Sequence, residues 1–253
     1  MAQNKKGVTN LLVKDLSADA EKFLKKREEQ RSYSIQHKIL QGLVNDYRDH
    51  CNYEAVELKA KLLNMFYSTG IQAINLVVNR IMSIKDIDEV LNEKKYSKKL
   101  IDTIAELNLS DGNTRNNYSF ATKYCALHQP EKYPIYDSIV AAIFVSLFKQ
   151  GKLPPYQLKK GKKAESTKTC MSVGEFAANL RDYDFFVEVY DNFKHAYGLT
   201  KLNYREVDWY LWGSYKDGEV ETEIEQEAKL DPKKYREYQA KDIKKTIITI
   251  KEK

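Results

Sequence analysis

The stretch Ser119-Phe120-Ala121-Thr122-Lys123-Tyr124-Cys125, followed by Tyr133-Pro134-Ile135-Tyr136-Asp137-Ser138-Ile139-Val140, decides how this chain is read. The first segment is a predicted helix running from Ser119 to about His128 and stopped by Gln129-Pro130. It follows Asn108-Leu109-Ser110-Asp111-Gly112-Asn113, a turn signal, because Asn, Asp and Gly tolerate positive φ. Tyr133-Pro134-Ile135-Tyr136 reads as an extended crossing, since the residue before a proline is pushed out of the α region. Asp137-Ser138 then opens an apolar helix, Ile139 to Phe148. An aspartate at that place accepts hydrogen bonds from the free amides of the first turn. The helix dipole favours an anion there. A fixed anion suits a reaction whose transition state becomes cationic, as when an N-glycosidic bond breaks through an oxocarbenium-like sugar. Aspartate is also a common N-cap with no chemistry attached, and on spacing alone that is the more frequent case.

Upstream, residues 17–60 read as helices. Ser17 is a candidate cap for a segment carrying Phe23 and Leu24. A stripe of Ile35, Ile39, Leu40, Leu43, Val44 and Tyr47 has the helical period. A third helix is predicted from about Tyr53 to Tyr67 and is interrupted by Ser68-Thr69-Gly70. The next carries Ile71, Ile74, Leu76, Val77, Val78 and Ile81. Ser83 with Asp86 resembles a capping box for a short helix Ile87–Leu91. A further helix, Tyr96–Leu107, leads into the turn signal.

Downstream, residues 149–170 hold seven lysines, one acid (Glu165) and Pro154-Pro155, which reads as a basic loop. Ser172 with Glu175 and Asn203 with Glu206 mark the starts of later helices, the second running Asn203–Trp212 after one at Asp184–Tyr197. Trp209, Tyr210, Trp212 and Tyr215 read mainly as packing. Beyond Lys216-Asp217-Gly218 the sequence turns to charge blocks; a strand pair, a helix and disorder are all open there.

Composition excludes several classes. The 253 residues are 42% hydrophobic and 31% charged, the balance of a folded globular protein. No apolar run approaches the ~20 residues that cross a bilayer. The N-terminal Met-Ala-Gln-Asn-Lys-Lys-Gly does not read as a signal peptide, so the expectation is a cytoplasmic protein with no membrane partner. Cys51, Cys125 and Cys170 are scattered and odd in number, and His37, His50, His128 and His195 lack ligand spacing, so neither metal nor cofactor is expected. A formal charge of +6 permits a nucleic-acid partner. Oligomeric state is open.

The segment around Asp137 resembles the one that carries the catalytic aspartate in the helix-hairpin-helix DNA glycosylase superfamily. In that family the aspartate opens a helix after a proline-containing crossing. The register agrees: 137 − 18 = 119, and Ser119-Phe120-Ala121 falls where many members have a lysine nucleophile and a following alanine. Adenine-specific mismatch members have serine there. Leu62 to Thr69 resembles the early helix that lines the family's base pocket, and Ile84 to Leu91 the short helix after it. The resemblance covers about residues 58–148. The chain departs from it in the hairpin, usually Leu-Pro-Gly-x-Gly but here Asn113-Thr114-Arg115-Asn116-Asn117-Tyr118, and in carrying no acid at Leu63 or Asn64.

The resemblance implies a divergent, all-α member: a two-lobed helical bundle with a central lobe at 58–148, a second lobe from 1–57 and 149–215, and a charged tail at 216–253. It implies a DNA glycosylase-like hydrolase acting on double-stranded DNA with a damaged or modified base. Asp137 is its catalytic candidate. Ser119 at the lysine position argues for a monofunctional reaction in which water attacks. Lys123, one turn on, is a further catalytic candidate for the same pocket, although a lysine on a helix is more often exposed. Tyr67, Ser68, Tyr118 and Tyr136 are candidates for holding an extruded base. Arg115, Asn116, Asn117, Lys159, Lys160, Lys162 and Lys163 are candidates for contacts to the DNA backbone. The alternatives are a non-catalytic nucleic-acid-binding module on the same scaffold, which the altered hairpin favours, and a helical interaction protein.

Overall fold

A computed structural model describes residues 15–28, 31–109, 112–157 and 170–217. Its architecture is mainly α-helical, as the hydrophobic periodicity implies. The elements run α1 (Ser17–Glu28), α2 (Arg31–Asp46), α3 (Tyr53–Phe66), α4 (Ile74–Met82), α5 (Ile87–Asn92) and α6 (Lys98–Ala105). A two-stranded hairpin follows, β1 (Glu106–Asn108) and β2 (Thr114–Asn116), then α7 (Tyr118–His128) and α8 (Ser138–Lys149). The series ends with α9 (Val173–Asn179), α10 (Tyr183–Ala196) and α11 (Tyr204–Asp217). The described residues up to Trp212 group as one compact unit. No helix among the described residues is long and apolar enough to cross a membrane.

Local chemistry accounts for most helix starts. Asn52 caps α3 by accepting from the Ala55 amide, Ser97 caps α6 through the Leu100 amide, and Asp182 caps α10 through the Phe185 amide. Ser172 and Glu175 form a reciprocal capping box at α9. Asn203 and Glu206 bond each other's backbone amides at 2.8 and 2.9 Å before α11. Three expected starts are different. Asp15, not Ser17, accepts the first free amide of α1, through the Ser17 N–H at 2.9 Å. Ser83 turns its hydroxyl back to the Arg80 carbonyl at 2.7 Å and ends α4, so α5 has no capping box. Ile71 lies before α4, fixed by a bond from its amide to the Asn64 side chain at 3.0 Å.

The largest departure is at the expected helix Tyr96–Leu107. It ends at Ala105, and Glu106–Asn108 pairs antiparallel with Thr114–Asn116, Leu107 facing Arg115. Gly112 holds φ 82° before the second strand, and the two strands satisfy backbone groups that a longer helix would otherwise hold. The stripe on α2 also divides: Leu40 and Val44 are buried, whereas Ile35 is 53% and Ile39 45% exposed.

The core beside α8 is aromatic. Phe148 and Phe176 stack with centroids 4.1 Å apart and planes at 5°, which ties α8 to α9. Phe144 lies edge-on to Tyr190 at 5.4 Å and beside Phe193 at 5.3 Å, which seats α8 on α10. The Tyr183 hydroxyl donates to the Pro134 carbonyl at 3.0 Å and so anchors the extended crossing that delivers Asp137. Burying rings of this size is the largest apolar contribution a small core can draw on.

Candidate active site

Asp137 caps α8 with its backbone extended, φ −134° and ψ 150°. Its Oδ1 accepts from the Ile139 amide at 2.8 Å. Its Oδ2 lies 3.1 Å from the Nζ of Lys123. The lysine comes from the second turn of α7, and its side chain is only 4% exposed against 19% for Asp137. Lys123 is therefore not the exposed helix lysine that is commoner in general. Its Nζ also donates to Ser119 Oγ at 2.7 Å and approaches the Tyr136 carbonyl at 3.4 Å. Ser119 and Lys123 are four apart on one helix face, which is why both reach the same point.

The backbone of the crossing completes the site. Ser119 Oγ donates to the Tyr136 carbonyl at 3.1 Å. The Tyr136 amide donates to Thr122 Oγ1 at 3.1 Å, and that hydroxyl donates to the Ser119 carbonyl at 3.0 Å. Helix α7 thus holds the strand-like crossing by three side chains of its first two turns, and Asp137 is the residue that the crossing presents. Thr122 has no signal in the sequence beyond its place beside Ser119.

Chemically, the cluster pairs one cation with one anion and orients one hydroxyl. Ser119 gives its proton to a carbonyl while it accepts from the ammonium. That arrangement fixes the hydroxyl without providing a base to activate it. The Asp137 side chain remains 19% exposed, so part of the carboxylate stays in contact with solvent.

The other expected site residues divide. Tyr118 and Tyr136 pack with ring centroids 4.8 Å apart beside the cluster. Tyr118 is buried, and burial pushes its phenol well above the ordinary range. Tyr67 ends α3, and the Arg205 guanidinium of α11 lies 5.1 Å from its ring centre. Ser68 is exposed and holds φ 48°, in the left-handed region. Arg115 and Asn116 are exposed on β2, and Arg115 Nη2 donates to the Gly70 carbonyl at 3.3 Å, joining the hairpin to the turn after α3. Asn117 is 8% exposed, and its backbone N–H donates to the Ala105 carbonyl at 2.8 Å, which closes the base of the hairpin. Lys159, Lys160, Lys162 and Lys163 lie outside the described residues.

A second polar cluster was not legible beforehand. His50 accepts or donates at both ring nitrogens: Nδ1 is 2.6 Å from Asp88 Oδ1 and Nε2 is 2.9 Å from the Tyr124 hydroxyl. The His50 amide adds a bond to Asp88 Oδ2 at 3.0 Å. Nearby, Lys59 is fully buried on α3, its Nζ donating to the Tyr47 carbonyl at 2.7 Å; burial pulls that ammonium down to about 8. These residues are 38 and 74 positions apart in the His50 pairs, so no local pattern announces them.

A family model, HI_0787_N, described as an N-terminal domain, matches residues 19–132. That span includes Ser119 and Lys123 and stops short of Asp137. The chain is 33% identical over 149 residues to an uncharacterized protein of Haemophilus influenzae. The match covers 59% of this chain and 60% of that protein, so the chain spans less than two thirds of that relative's length. No solved structure matches it.

Proposed function

We propose that the chain is a divergent helix-hairpin-helix DNA glycosylase-like enzyme, one that hydrolyses the N-glycosidic bond of a damaged or modified base in double-stranded DNA. The observation that carries this reading is the hydrogen-bonded set of Ser119, Lys123 and Asp137, gathered where a helix after a hairpin meets the helix opened by the aspartate. In this reading Asp137 stabilises positive charge on the sugar as the base departs. Lys123 sets the carboxylate's rotamer, and water is the nucleophile, because the Ser119 proton is committed to the Tyr136 carbonyl.

The test uses the full chain and duplexes each bearing one uracil, hypoxanthine, 8-oxoguanine or alkylated purine. Base release is read as alkali-labile strand breakage. The expected result is release from at least one duplex, lowered about 10²–10³-fold by Asp137→Asn with the helical circular-dichroism spectrum kept. Full activity in that variant would reject the reading. The hairpin departs from a glycine-rich turn and exposes Arg115 and Asn116, which favours a second reading, a non-catalytic DNA-binding module. Salt-dependent binding to every duplex with release from none selects it.

A further inference from the structure

Away from Asp137, a cleft of about 290 Å³ opens between α2, α5 and the end of α7. Its wall carries Gln41 and Asn45 from α2, Arg48 just after it, Asp88 from α5, and His128 with Gln129. Arg48 is exposed and forms no ion pair among the described residues. Asp88 is fixed, since its two oxygens are held 2.6 and 3.0 Å from the ring and amide nitrogens of His50. Burial holds the His128 imidazole well below its ordinary range, so it is neutral near pH 7. Among the described residues the cleft therefore offers the Arg48 guanidinium, the anchored Asp88 carboxylate and several neutral carboxamides.

We propose that this cleft binds a free α-amino acid as its zwitterion, with Arg48 on the α-carboxylate and Asp88 on the α-ammonium.

Charge decides the ligand class. A phosphate ester would meet the Asp88 carboxylate as a like charge in the same cleft. A neutral sugar or base would leave a guanidinium and a carboxylate without opposite charges, and charge-assisted bonds are the stronger ones such a site can make. A zwitterion satisfies both. The planar guanidinium matches a carboxylate with two parallel N–H donors, and Asp88 retains lone pairs for an ammonium. Gln41 and Gln129 each commit one side-chain N–H within the protein, to the Leu127 carbonyl at 3.5 Å and to Asn92 Oδ1 at 3.1 Å, and the carboxamide capacity left on them and on Asn45 suits a polar side chain. The volume lies at the lower edge of small-molecule sites, in keeping with one amino acid.

The site is independent of the proposed base-release reaction. The full chain is titrated with each of the common L-amino acids at millimolar concentration while its thermal midpoint is followed, then by calorimetry for any that bind. The expected result is a rise of about 2–4 °C with at least one polar amino acid. Its N-acetyl and its carboxamide derivatives, each lacking one charge, bind at least about tenfold more weakly. Arg48→Ala, an exposed position, weakens binding by about the same factor, and Asp137→Asn leaves it unchanged. No midpoint shift with any amino acid overturns the proposal. So does equal binding of the charge-blocked derivatives, or a shift that survives Arg48→Ala.

Discussion

Lys123 Nζ and Asp137 Oδ2 lie 3.1 Å apart, joining the second turn of α7 to the cap of α8 across the extended crossing. The cation is almost wholly buried and the anion partly so, which means each is needed to compensate the other.

Removing the cation should therefore be costly. Lys123→Met keeps the length of the side chain but strands the Asp137 carboxylate. We expect a loss of about 2–4 kcal/mol in urea unfolding, somewhat below a fully buried pair because Asp137 retains contact with water. In a double-mutant cycle with Asp137→Asn, the coupling should be about 1–3 kcal/mol. Additive effects of the two substitutions would show that the pair contributes nothing as a pair.

Ser119→Ala removes a donor to the Tyr136 carbonyl and an acceptor for Lys123. Stability should fall by about 1–2 kcal/mol. If base release is found, this variant should keep its rate within about tenfold, far above Asp137→Asn, since the hydroxyl positions neighbours and does not attack. A Ser119→Ala loss as deep as that of Asp137→Asn would make the hydroxyl a participant.

Acid should destabilise the protein through His37, His50 and His128. Burial lowers His37 from 6.5 to about 4, and it lowers His50 and His128 as well, with the Asp88 bond partly opposing the effect at His50. In each case the unfolded chain takes up the proton first. Their stabilising contribution is whole above pH 6.5 and is lost as pH falls from there, for His37 until about 4. Each contributes a slope of at most about 1.4 kcal/mol per pH unit in that window. Urea midpoints measured from pH 7.5 to 4.5 read this, and His37→Gln should flatten the curve; a flat curve in the parent protein would contradict it.

Backbone strain gives an opposed pair of variants. Ser68 holds φ 48° in the left-handed region, and Ser68→Gly should stabilise by about 0.5–1 kcal/mol by relieving it. Gly198 holds φ 72°, and an added Cβ would come 2.6 Å from Asp15 Oδ1, the oxygen that caps α1. Gly198→Ala should cost about 2 kcal/mol or more. Thermal midpoints should move in opposite directions for the two.

Some of this was open to reading in advance, and the reason is range. Caps, proline effects and the helical period are local: each depends on residues within one or two turns. Ser172 with Glu175, Asn203 with Glu206, the crossing at Pro134 and Asp137 at the mouth of α8 were all legible for that cause. So was the mainly helical class. The same locality misled at Ser83 and Asp86, where the serine had a nearer carbonyl to bond, and at Tyr96–Leu107, where the hairpin partner Thr114–Asn116 outcompeted the helix.

What required the folded chain is everything that depends on which surface covers which. A helical stripe states that Ile35 and Leu40 share a helix, but only packing decides that Leu40 is covered and Ile35 is not. The order of residues places Lys123 one turn from Ser119; its burial against Asp137 exists because α7 and the crossing meet. His50, Asp88 and Tyr124 are strangers in sequence and partners in space. Local backbone preferences are written in neighbouring side chains, whereas burial and long-range hydrogen bonds arise only once distant segments exclude water together.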